Sequence, residues 1–351
     1  MDKCAKVLED KPPLTAASAE KQGGNQVMAQ GGTPTSLHVD DEAIYVVDPH
    51  PGAVFKLSKD GATMEEVWRP KKGKARVVLG DDDSLFVVAW EPGKLVRIDK
   101  KSGTVHVIRE KELGFLELDP GPTNQGMLYV GVDTLRGPLQ RHYDRDSIAP
   151  RDGAFVSPDK VSSIPHGPKS AATIGGNMAG YVLELAIDRD HLFYTGREPG
   201  LSSLSPPFQL YRRSRSGGDP EIIGEGCNRI ALSEAHVYCA RGKHWDSPNQ
   251  VFKLTKEGKG SKLVFRTEGK IQSIHIDGKD AYVWSFSGVA QHWNVWKIVD
   301  ADPEGRLIAV EDHLIGSVAT DATHVYWTNR GATNQSGETL LAAGAVRRQK
   351  R

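Results

Sequence analysis

The sequence predicts an all-β fold, a seven-bladed β-propeller with four antiparallel strands in each blade. Two repeating patterns lead to this prediction. An apolar strand, a short polar turn and a strand with an aromatic residue recur seven times, and a strand with a basic residue follows each time. Units of about 40–45 residues with four short strands are typical of propeller blades. Because no helical stretches separate the strands, the pattern excludes a parallel β/α fold.

An aromatic residue marks the second strand of every unit. One interval between these residues is about 20 longer than the others, which indicates an insertion in the third unit. The seven aromatic residues are Tyr45, Phe86, Tyr129, Phe193, Tyr238, Tyr282 and Tyr326.

The third strands give the same count, because each places a basic residue third in a short apolar pattern. We expect these alternating positions to reach solvent or a neighbouring blade. They are Lys56, Arg97, Arg141, Arg212, Lys253, Lys297 and Arg348.

A short polar residue follows the first strand of each unit, where its side chain can bond its own backbone and hold a tight turn. These residues are Asp40, Asp81, Asp119, Asp188, Ser233, Asp277 and Asp321. Fourth strands are predicted at 65–68, 105–108, 262–265 and 306–309.

The repeats divide the chain into a tail and a propeller. Residues 1–25 are polar and contain paired prolines and glycines, so we expect a flexible tail before a propeller at 26–351. The last unit ends at its third strand. Residues 26–30 are therefore predicted to close the seventh blade, which removes an exposed sheet edge. Residues 143–176 are predicted as an insertion in blade 3, after a third strand at 139–142.

Charge and hydropathy exclude several classes of protein. Lys+Arg and Asp+Glu both total 45, and this zero net charge argues against a nucleic-acid partner. No apolar run approaches the roughly 18 residues of a membrane-spanning helix, and no secretory signal is present. We expect a monomer in the cytoplasm, or in the periplasm or extracellular space if the N-terminus is processed.

The three cysteines leave two interpretations open. Cys227 and Cys239 are 12 residues apart and fall on neighbouring strands. They form either a disulfide of an exported protein or two small core residues. Cys4 lies close to the start of the chain, but the residues before it do not form a lipobox.

The repeats, and HVYWTN at 324–329 in particular, resemble the YWTD and NHL types of propeller repeat over residues 26–351. This resemblance implies the architecture and says little about chemistry. Known YWTD propellers have six blades, so a count of seven departs from that pattern. Seven-bladed propellers of similar texture include the streptogramin (virginiamycin B) lyases, which are metal-dependent. The resemblance transfers no site residue to this chain.

The loops between second and third strands are the predicted binding surface. They share one rim with the loops that enter each first strand, and tryptophan, arginine and histidine on a rigid scaffold favour binding. Alternatively, Trp245 and Trp293 cap their blades hydrophobically. The ligand-binding candidates are His50, Trp90, Glu91, Arg197, Arg241, Trp245, Phe286, Trp293 and Arg330.

A second set of residues suggests metal or acid–base chemistry. His38, Glu117 and His275 interrupt the small or apolar pattern of the inner strands and are ligand types for a divalent metal such as zinc. The alternative is that they are satisfied polar residues of those strands. On adjacent inner strands, Glu184 and Arg229 are predicted to form a salt bridge. The catalytic candidates are His244, Asp246, His275 and His292.

Two functions follow from these residues. The first is a non-enzymatic binding propeller that recognises a protein, peptide or glycan through its aromatic and basic rim. The alternative is a metal-assisted lyase or hydrolase with its site at the mouth of the central channel. Common hydrolase, nucleotide and zinc motifs are absent from the sequence, which favours the first function.

Overall fold

The structure is a computed structural model. It describes residues 14–22, 25–90, 94–110, 116–118, 127–133, 158–165, 172–173, 181–188, 190–197, 208–214, 218–242, 247–299, 302–333, 339–341 and 344–351. Within these ranges the regular structure consists of strands, and none of the described residues forms a helix long and apolar enough to cross a membrane.

The strands are numbered in chain order. The first sixteen are β1 (Thr15–Gln22), β2 (Asn25–Gln30), β3 (Ser36–Val39), β4 (Ala43–Asp48), β5 (Ala53–Ser58), β6 (Met64–Trp68), β7 (Lys74–Gly80), β8 (Ser84–Trp90), β9 (Lys94–Asp99), β10 (Val105–Glu110), β11 (Leu116–Leu118), β12 (Met127–Asp133), β13 (Pro158–Pro165), β14 (Ala172–Thr173), β15 (Tyr181–Ile187) and β16 (His191–Arg197). The others are β17 (Gln209–Ser214), β18 (Glu221–Glu225), β19 (Arg229–Leu232), β20 (His236–Arg241), β21 (Gln250–Thr255), β22 (Lys262–Arg266), β23 (Lys270–Asp277), β24 (Asp280–Ser287), β25 (His292–Val299), β26 (Asp302–Glu311), β27 (Ile315–Thr320), β28 (His324–Asn329), β29 (Ala332–Thr333), β30 (Thr339–Leu341) and β31 (Ala345–Lys350).

The chain divides into two compact units. Unit 1 contains the described residues of 1–111 and 311–351, and unit 2 contains those of 112–310. Unit 1 holds blade 1 (β3-β4-β5-β6), blade 2 (β7-β8-β9-β10) and the five-stranded blade 7 (β1-β2-β31-β28-β27). Unit 2 holds blades 3 to 6, which are formed by β11–β14, β15–β18, β19–β22 and β23–β26. The predicted set of seven antiparallel blades is thus confirmed.

Apolar side chains from neighbouring sheets form the core of each unit. In unit 1, Tyr45 and Val47 of blade 1 pack with Val78 and Val87 of blade 2. In unit 2, Tyr238 of blade 5 packs in one cluster with strands of blade 6. The central strands β4 and β20, which lie in these packed sheets, are buried almost throughout.

The predicted closing strand is present in blade 7. β2 pairs antiparallel with β31, with Gln26 opposite Arg348 and Gln30 opposite Ala345. The predicted tail, in contrast, was too long, because residues 15–22 form β1 on the outer side of β2. Leu14 is only 2 % exposed and belongs to the core cluster of blades 7 and 1. Burial of the Leu14 side chain stabilises this segment, and the polar composition of the segment gave no indication of that burial.

The third strand of blade 3 differs from the prediction. β13 lies inside the predicted insertion at 143–176 and pairs with β12, so that Tyr129 lies opposite Ser163. The predicted third strand at 139–142 falls in the connection 134–157, outside the described residues. The extra residues therefore connect the second strand to the third strand, and not the third to the fourth. A four-residue apolar and basic pattern was too short to identify the strand that pairs with β12.

The polar turns of blades 1, 2, 4 and 7 form as predicted, whereas the blade-3 turn residue Asp119 lies outside the described residues. The Asp40 carboxylate accepts hydrogen bonds from the backbone N–H groups of Glu42 and Ala43, at 2.9 and 2.8 Å. Asp81, Asp188 and Asp321 make the same pair of bonds in their blades. These bonds set the start of each second strand.

Candidate binding surface

The repeated aromatic residue lies in the middle of a cross-strand row. In blade 6, Tyr282 pairs with His275 on one side and with Lys297 on the other. The Lys297 ammonium lies 5.8 Å from the centre of the Tyr282 ring, which is a cation–π distance. Lys253 has the same relation to Tyr238 in blade 5, at 5.7 Å. Lys253 and Lys297 therefore contact the aromatic residues of their own blades, whereas the Arg212 guanidinium donates to the Lys256 carbonyl of the next blade, as predicted for these positions.

His38 occupies the equivalent of the His275 position in blade 1. Its ring stacks on Tyr45 with 6.2 Å between ring centres, and its edge packs against Gly80, where a Cβ atom would lie 2.6 Å away. Its buried Nε2 has no hydrogen-bond partner among the described residues. Burial and the nearby Lys100 ammonium lower the pKa of His38 to about 4, against the opposite effect of Asp40 and Asp81. His38 is therefore neutral at physiological pH.

The three metal candidates lie on different sheets. His38 is in β3, Glu117 in β11 and His275 in β23, where the His275 ring lies 6.5 Å from that of Tyr282. Within the described part of the chain, no three His, Cys, Asp or Glu side chains form a group that could hold a metal ion.

Glu184 and Arg229 do not form the predicted salt bridge within 4 Å. The Glu184 carboxylate instead accepts a hydrogen bond from the backbone N–H of Ile230 at 2.6 Å. The Arg229 guanidinium donates to the carbonyl of Gln272 at 2.7 Å. Burial raises the pKa of Glu184 to about 7, although the Arg229 charge and the Ile230 hydrogen bond oppose this shift. Both side chains thus connect neighbouring blades through the backbone.

Cys227 and Cys239 form a disulfide in blade 5. The bond attaches the segment that enters β19 to the middle of β20, and both residues are fully buried. The Arg241 Nε group donates to the Cys239 sulfur at 3.1 Å, and its guanidinium lies 4.8 Å from the centre of the Phe252 ring. Arg241 therefore packs over the disulfide, which accounts for its half-buried position at the rim.

The predicted rim residues Phe286 and Trp293 and the catalytic candidate His292 lie on one hairpin of blade 6. β24 and β25 pair up to Ser287 and His292, whereas the equivalent second strands of blades 1 and 7 end at Asp48 and Asn329. Asp48 and Asn329 correspond to Ser285, so the hairpin continues about 7 Å further, at roughly 3.3 Å per residue. The rings of Phe286 and Trp293 lie 5.0 Å apart and both residues are half-buried.

The tip of this hairpin is held by its own hydrogen bonds. Ser287 Oγ accepts a bond from the Ala290 N–H at 3.3 Å, and the Gln291 side chain donates to the Gly288 carbonyl. Gln291 is also the one described non-glycine residue with a positive φ, at 53°. The turn presents Val289, which is 95 % exposed. Sequence reasoning missed Val289, because an isolated valine in a loop carries no pattern.

The rim of blade 1 in unit 1 is polar. The backbone N–H groups of Thr33 and His50 donate to Asp48, which is fully buried. Burial raises the pKa of Asp48, and these hydrogen bonds partly oppose the shift. Its second oxygen lies so close to Gly32 that a Cβ atom there would be 1.9 Å away. Asp48 therefore shapes the turn that carries His50.

For three of the other candidates the structure gives backbone pairing or a backbone hydrogen bond. Trp90 ends β8 and pairs with Lys74, and Arg197 ends β16 and pairs with Tyr181. The Arg330 N–H donates to the Leu314 carbonyl at 2.8 Å. Glu91, His244, Trp245 and Asp246 lie outside the described residues.

Solved structures support the architecture of the strands. The chain is similar to virginiamycin B lyase from Staphylococcus aureus, with 11 % identity, a TM-score of 0.58, and coverage of 96 % of this chain and 99 % of that one. This chain is a β-propeller. A streptogramin B lyase structure is similar at 8 % identity and a TM-score of 0.59, with 97 % of this chain and 98 % of that chain covered.

A propeller from a different kind of structure is also similar. A chain of a mitotic checkpoint complex matches at 8 % identity and a TM-score of 0.54, with 98 % of this propeller and 95 % of that chain covered. No family model matches the sequence, and the search of curated proteins found no match. At these identities the likeness shows the fold alone, because one propeller fold supports many functions.

Proposed function

We propose that this propeller is a non-enzymatic binding module whose blade-6 hairpin anchors a protein or peptide. The observation that carries the proposal is the half-buried pair of Phe286 and Trp293 on the hairpin whose turn exposes Val289. A similar aromatic pair in blade 4, Tyr194 and Tyr211, is almost fully buried and belongs to the core. Half-buried aromatic residues on a rigid hairpin can bury their remaining apolar area on binding at little cost in conformational entropy.

One further point supports a role in binding. A similar propeller occurs in a complex of several proteins, which is consistent with a role in association. The likeness to streptogramin lyases, at 8–11 % identity, supports their fold and not their chemistry.

The test is a selection for ligands followed by a comparison of variants. A random peptide library displayed on phage is selected against the full chain, and the enriched peptides are titrated by fluorescence polarisation. Trp293→Ala and Val289→Asp are expected to weaken binding by about tenfold or more, since truncation of a hot-spot residue costs about 2 kcal/mol or more.

Val107→Asp is the matched control, because Val107 is 52 % exposed on the outer strand of blade 2. This control is expected to bind the selected peptides like the wild type. Equal affinity in all variants, or a selection that yields no saturable peptide, would contradict the proposal. Thermal melts of each variant establish that the propeller is still folded.

A further inference from the structure

A basic loop connects β6 to β7 in unit 1. Its sequence, RPKKGK at 69–74, holds four basic residues and no acidic one, in a chain of zero net charge. Lys71, Lys72 and Lys74 are all exposed. Within the described part of the chain, none of these three ammonium groups has a hydrogen-bond or ion-pair partner. They therefore form a local positive surface that the whole-chain charge conceals.

The loop is held in place at both ends. Arg69 donates to the Pro51 carbonyl at 2.9 Å and forms a two-point pair with the Glu66 carboxylate. After the lysines, the Ala75 N–H donates to the Gly52 carbonyl at 3.1 Å. The loop thus lies against the turn that carries His50, at the rim end of blade 1. Because its ends are fixed, the three lysines are presented together at a reduced cost in entropy.

The type of charge and its surroundings favour a polyanionic sugar. Short lysine-rich runs bind heparin-like polymers or nucleic acids. The loop contains no aromatic residue on which a base could stack, which argues against a single-stranded nucleic acid. The disulfide of Cys227 and Cys239 is characteristic of oxidising compartments, where nucleic acids are not the usual polyanions.

We propose that Lys71, Lys72 and Lys74 bind a sulfated polysaccharide at the rim of blade 1. This site differs from the proposed peptide anchor in its unit, residues and ligand chemistry. Each lysine neutralises a sulfate group and releases condensed counterions, so the affinity falls as the salt concentration rises. The three charges lie within four consecutive residues, which span at most about 14 Å when extended. Such spacing suits the closely spaced charges of a linear polyanion.

The test uses the full chain and heparin immobilised on a sensor surface. The triple variant K71E/K72E/K74E is expected to weaken binding by about tenfold or more and to flatten the salt dependence. The neutral variant K71Q/K72Q/K74Q removes the same charges without adding repulsion, and a smaller loss in the same direction is expected. Desulfated heparin is expected to bind no more tightly to the wild type than to the variants.

A matched control changes the net charge by the same amount. K101E/K259E/K279E reverses three exposed lysines that lie in turns at the opposite ends of their sheets, and it is expected to bind heparin within about twofold of the wild type. An equal loss in this control would overturn the proposal in favour of net charge alone. Tighter binding to polyglutamate or to a short DNA duplex than to heparin would also overturn it. Val289→Asp leaves heparin binding unchanged, so this test fails or succeeds independently of the peptide anchor.

Discussion

At one position of the innermost strand, different blades carry different polar residues that bond to the backbone of the next blade. The position four residues before the polar turn is Ser36 in blade 1, Glu184 in blade 4 and Arg229 in blade 5. Ser36 Oγ accepts a bond from the Val78 N–H at 3.2 Å, and the Glu184 carboxylate accepts the equivalent bond from Ile230. The Glu184 carboxylate therefore accepts the same kind of backbone hydrogen bond as the Ser36 hydroxyl, but burial raises the pKa of Glu184 to about 7.

The raised pKa of Glu184 predicts a stability that depends on pH. A carboxyl group with a higher pKa in the folded state contributes stability below its unfolded pKa, and loses it as the pH rises through about 7. Glu184→Gln keeps an acceptor oxygen and stays neutral. We expect it to raise the free energy of unfolding by about 2 kcal/mol at pH 8, after a discount for solvent screening, and to have little effect at pH 4.

Urea denaturation at pH 4, 6 and 8 measures this difference. Glu234→Gln, which makes the same change at an exposed glutamate in a turn of blade 5, is the matched control. A Glu184→Gln variant that loses stability equally at every pH would refute the interpretation.

The hydrogen-bond and ion-pair partners of individual side chains were the features that the sequence predicted least well. The opposite charges of Glu184 and Arg229 suggested a salt bridge, but both groups bind backbone atoms of the next blade. A pairing rule based on charge cannot detect backbone acceptors, since every residue carries them.

At the scale of strands and turns, lysines clamp one blade to the next. Lys59 binds Asp321 at 2.8 Å, Lys100 binds Asp40 at 2.5 Å, and Lys256 binds Asp188 at 2.7 Å. Each lysine lies three residues after the basic residue of its third strand, and each aspartate is the turn residue of the preceding blade. The turn residue of blade 5 is Ser233. In blade 6, the position three residues after the basic residue Lys297 is accordingly Asp300 and not a lysine.

The clamp of Lys100 predicts a measurable loss of stability. Its ammonium also reaches the Asp81 carbonyl and lies 5.1 Å from the centre of the Tyr45 ring. Burial alone would raise the pKa of Asp40, but the Lys100 hydrogen bond and charge lower it. Lys100→Met leaves this carboxylate without its counter-ion, so we expect a loss of about 1–3 kcal/mol at pH 7.

The loss should be smaller at pH 3, because the stability from a lowered carboxyl pKa disappears as that group is protonated. Lys101→Met, at the exposed neighbouring position, is the matched control for thermal and urea denaturation. Equal effects of the two substitutions would show that the clamp contributes nothing.

Strands were predictable where the repeat was complete. The aromatic, turn and basic positions together place most strands to within a few residues, because each position has its own packing requirement. Beyond Tyr129, only the third-strand pattern was available to predict the strands of blade 3. The strand that pairs with β12 is β13, which has Ser163 and not a basic residue opposite Tyr129. Local patterns do not encode pairing across a long connection.

For the whole molecule, the fold is much better determined by the sequence than the function is. The core positions recur seven times, whereas the rim residues Phe286, Trp293 and Val289 occur once each. The lysine loop at 69–74 carried no prediction from the sequence, and its exposure and its attachment to Pro51 were found in the structure. Residues that occur in only one blade cannot be identified by comparison with the other blades.

Joining the two ends of the chain in blade 7 predicts a graded response to truncation. Deletion of residues 1–22 removes β1 and the buried Leu14, at a cost of about 2 kcal/mol. Deletion of residues 1–30 also removes Met28 and Ala29, which are fully buried, and exposes the edge of β31. We expect the second deletion to lower the Tm at least three times as much as the first.

Leu14→Ala is expected to reproduce most of the loss caused by the shorter deletion, since it removes the buried side chain and keeps the strand. Differential scanning calorimetry compares the three variants with the full chain. Identical Tm values for the two deletions would exclude a closing function for β2.

The order of strands in blade 7 also determines how the protein yields to a pulling force. β1 lies outside β2, and Thr15 is paired with Gln30 at one end of their ladder. Thr15 lies level with Ala345, at the end of the sheet away from Arg348, so tension between the chain ends acts along β1 and loads the β1–β2 ladder in shear before it reaches β2. The first residue of the β2–β31 pairing is Gln26, opposite Arg348 near the other end of the chain. The two chain ends therefore separate in two steps, first by shear of β1 from β2 and then by unzipping of β2 from β31, so that β1 protects the closing strand from the first load.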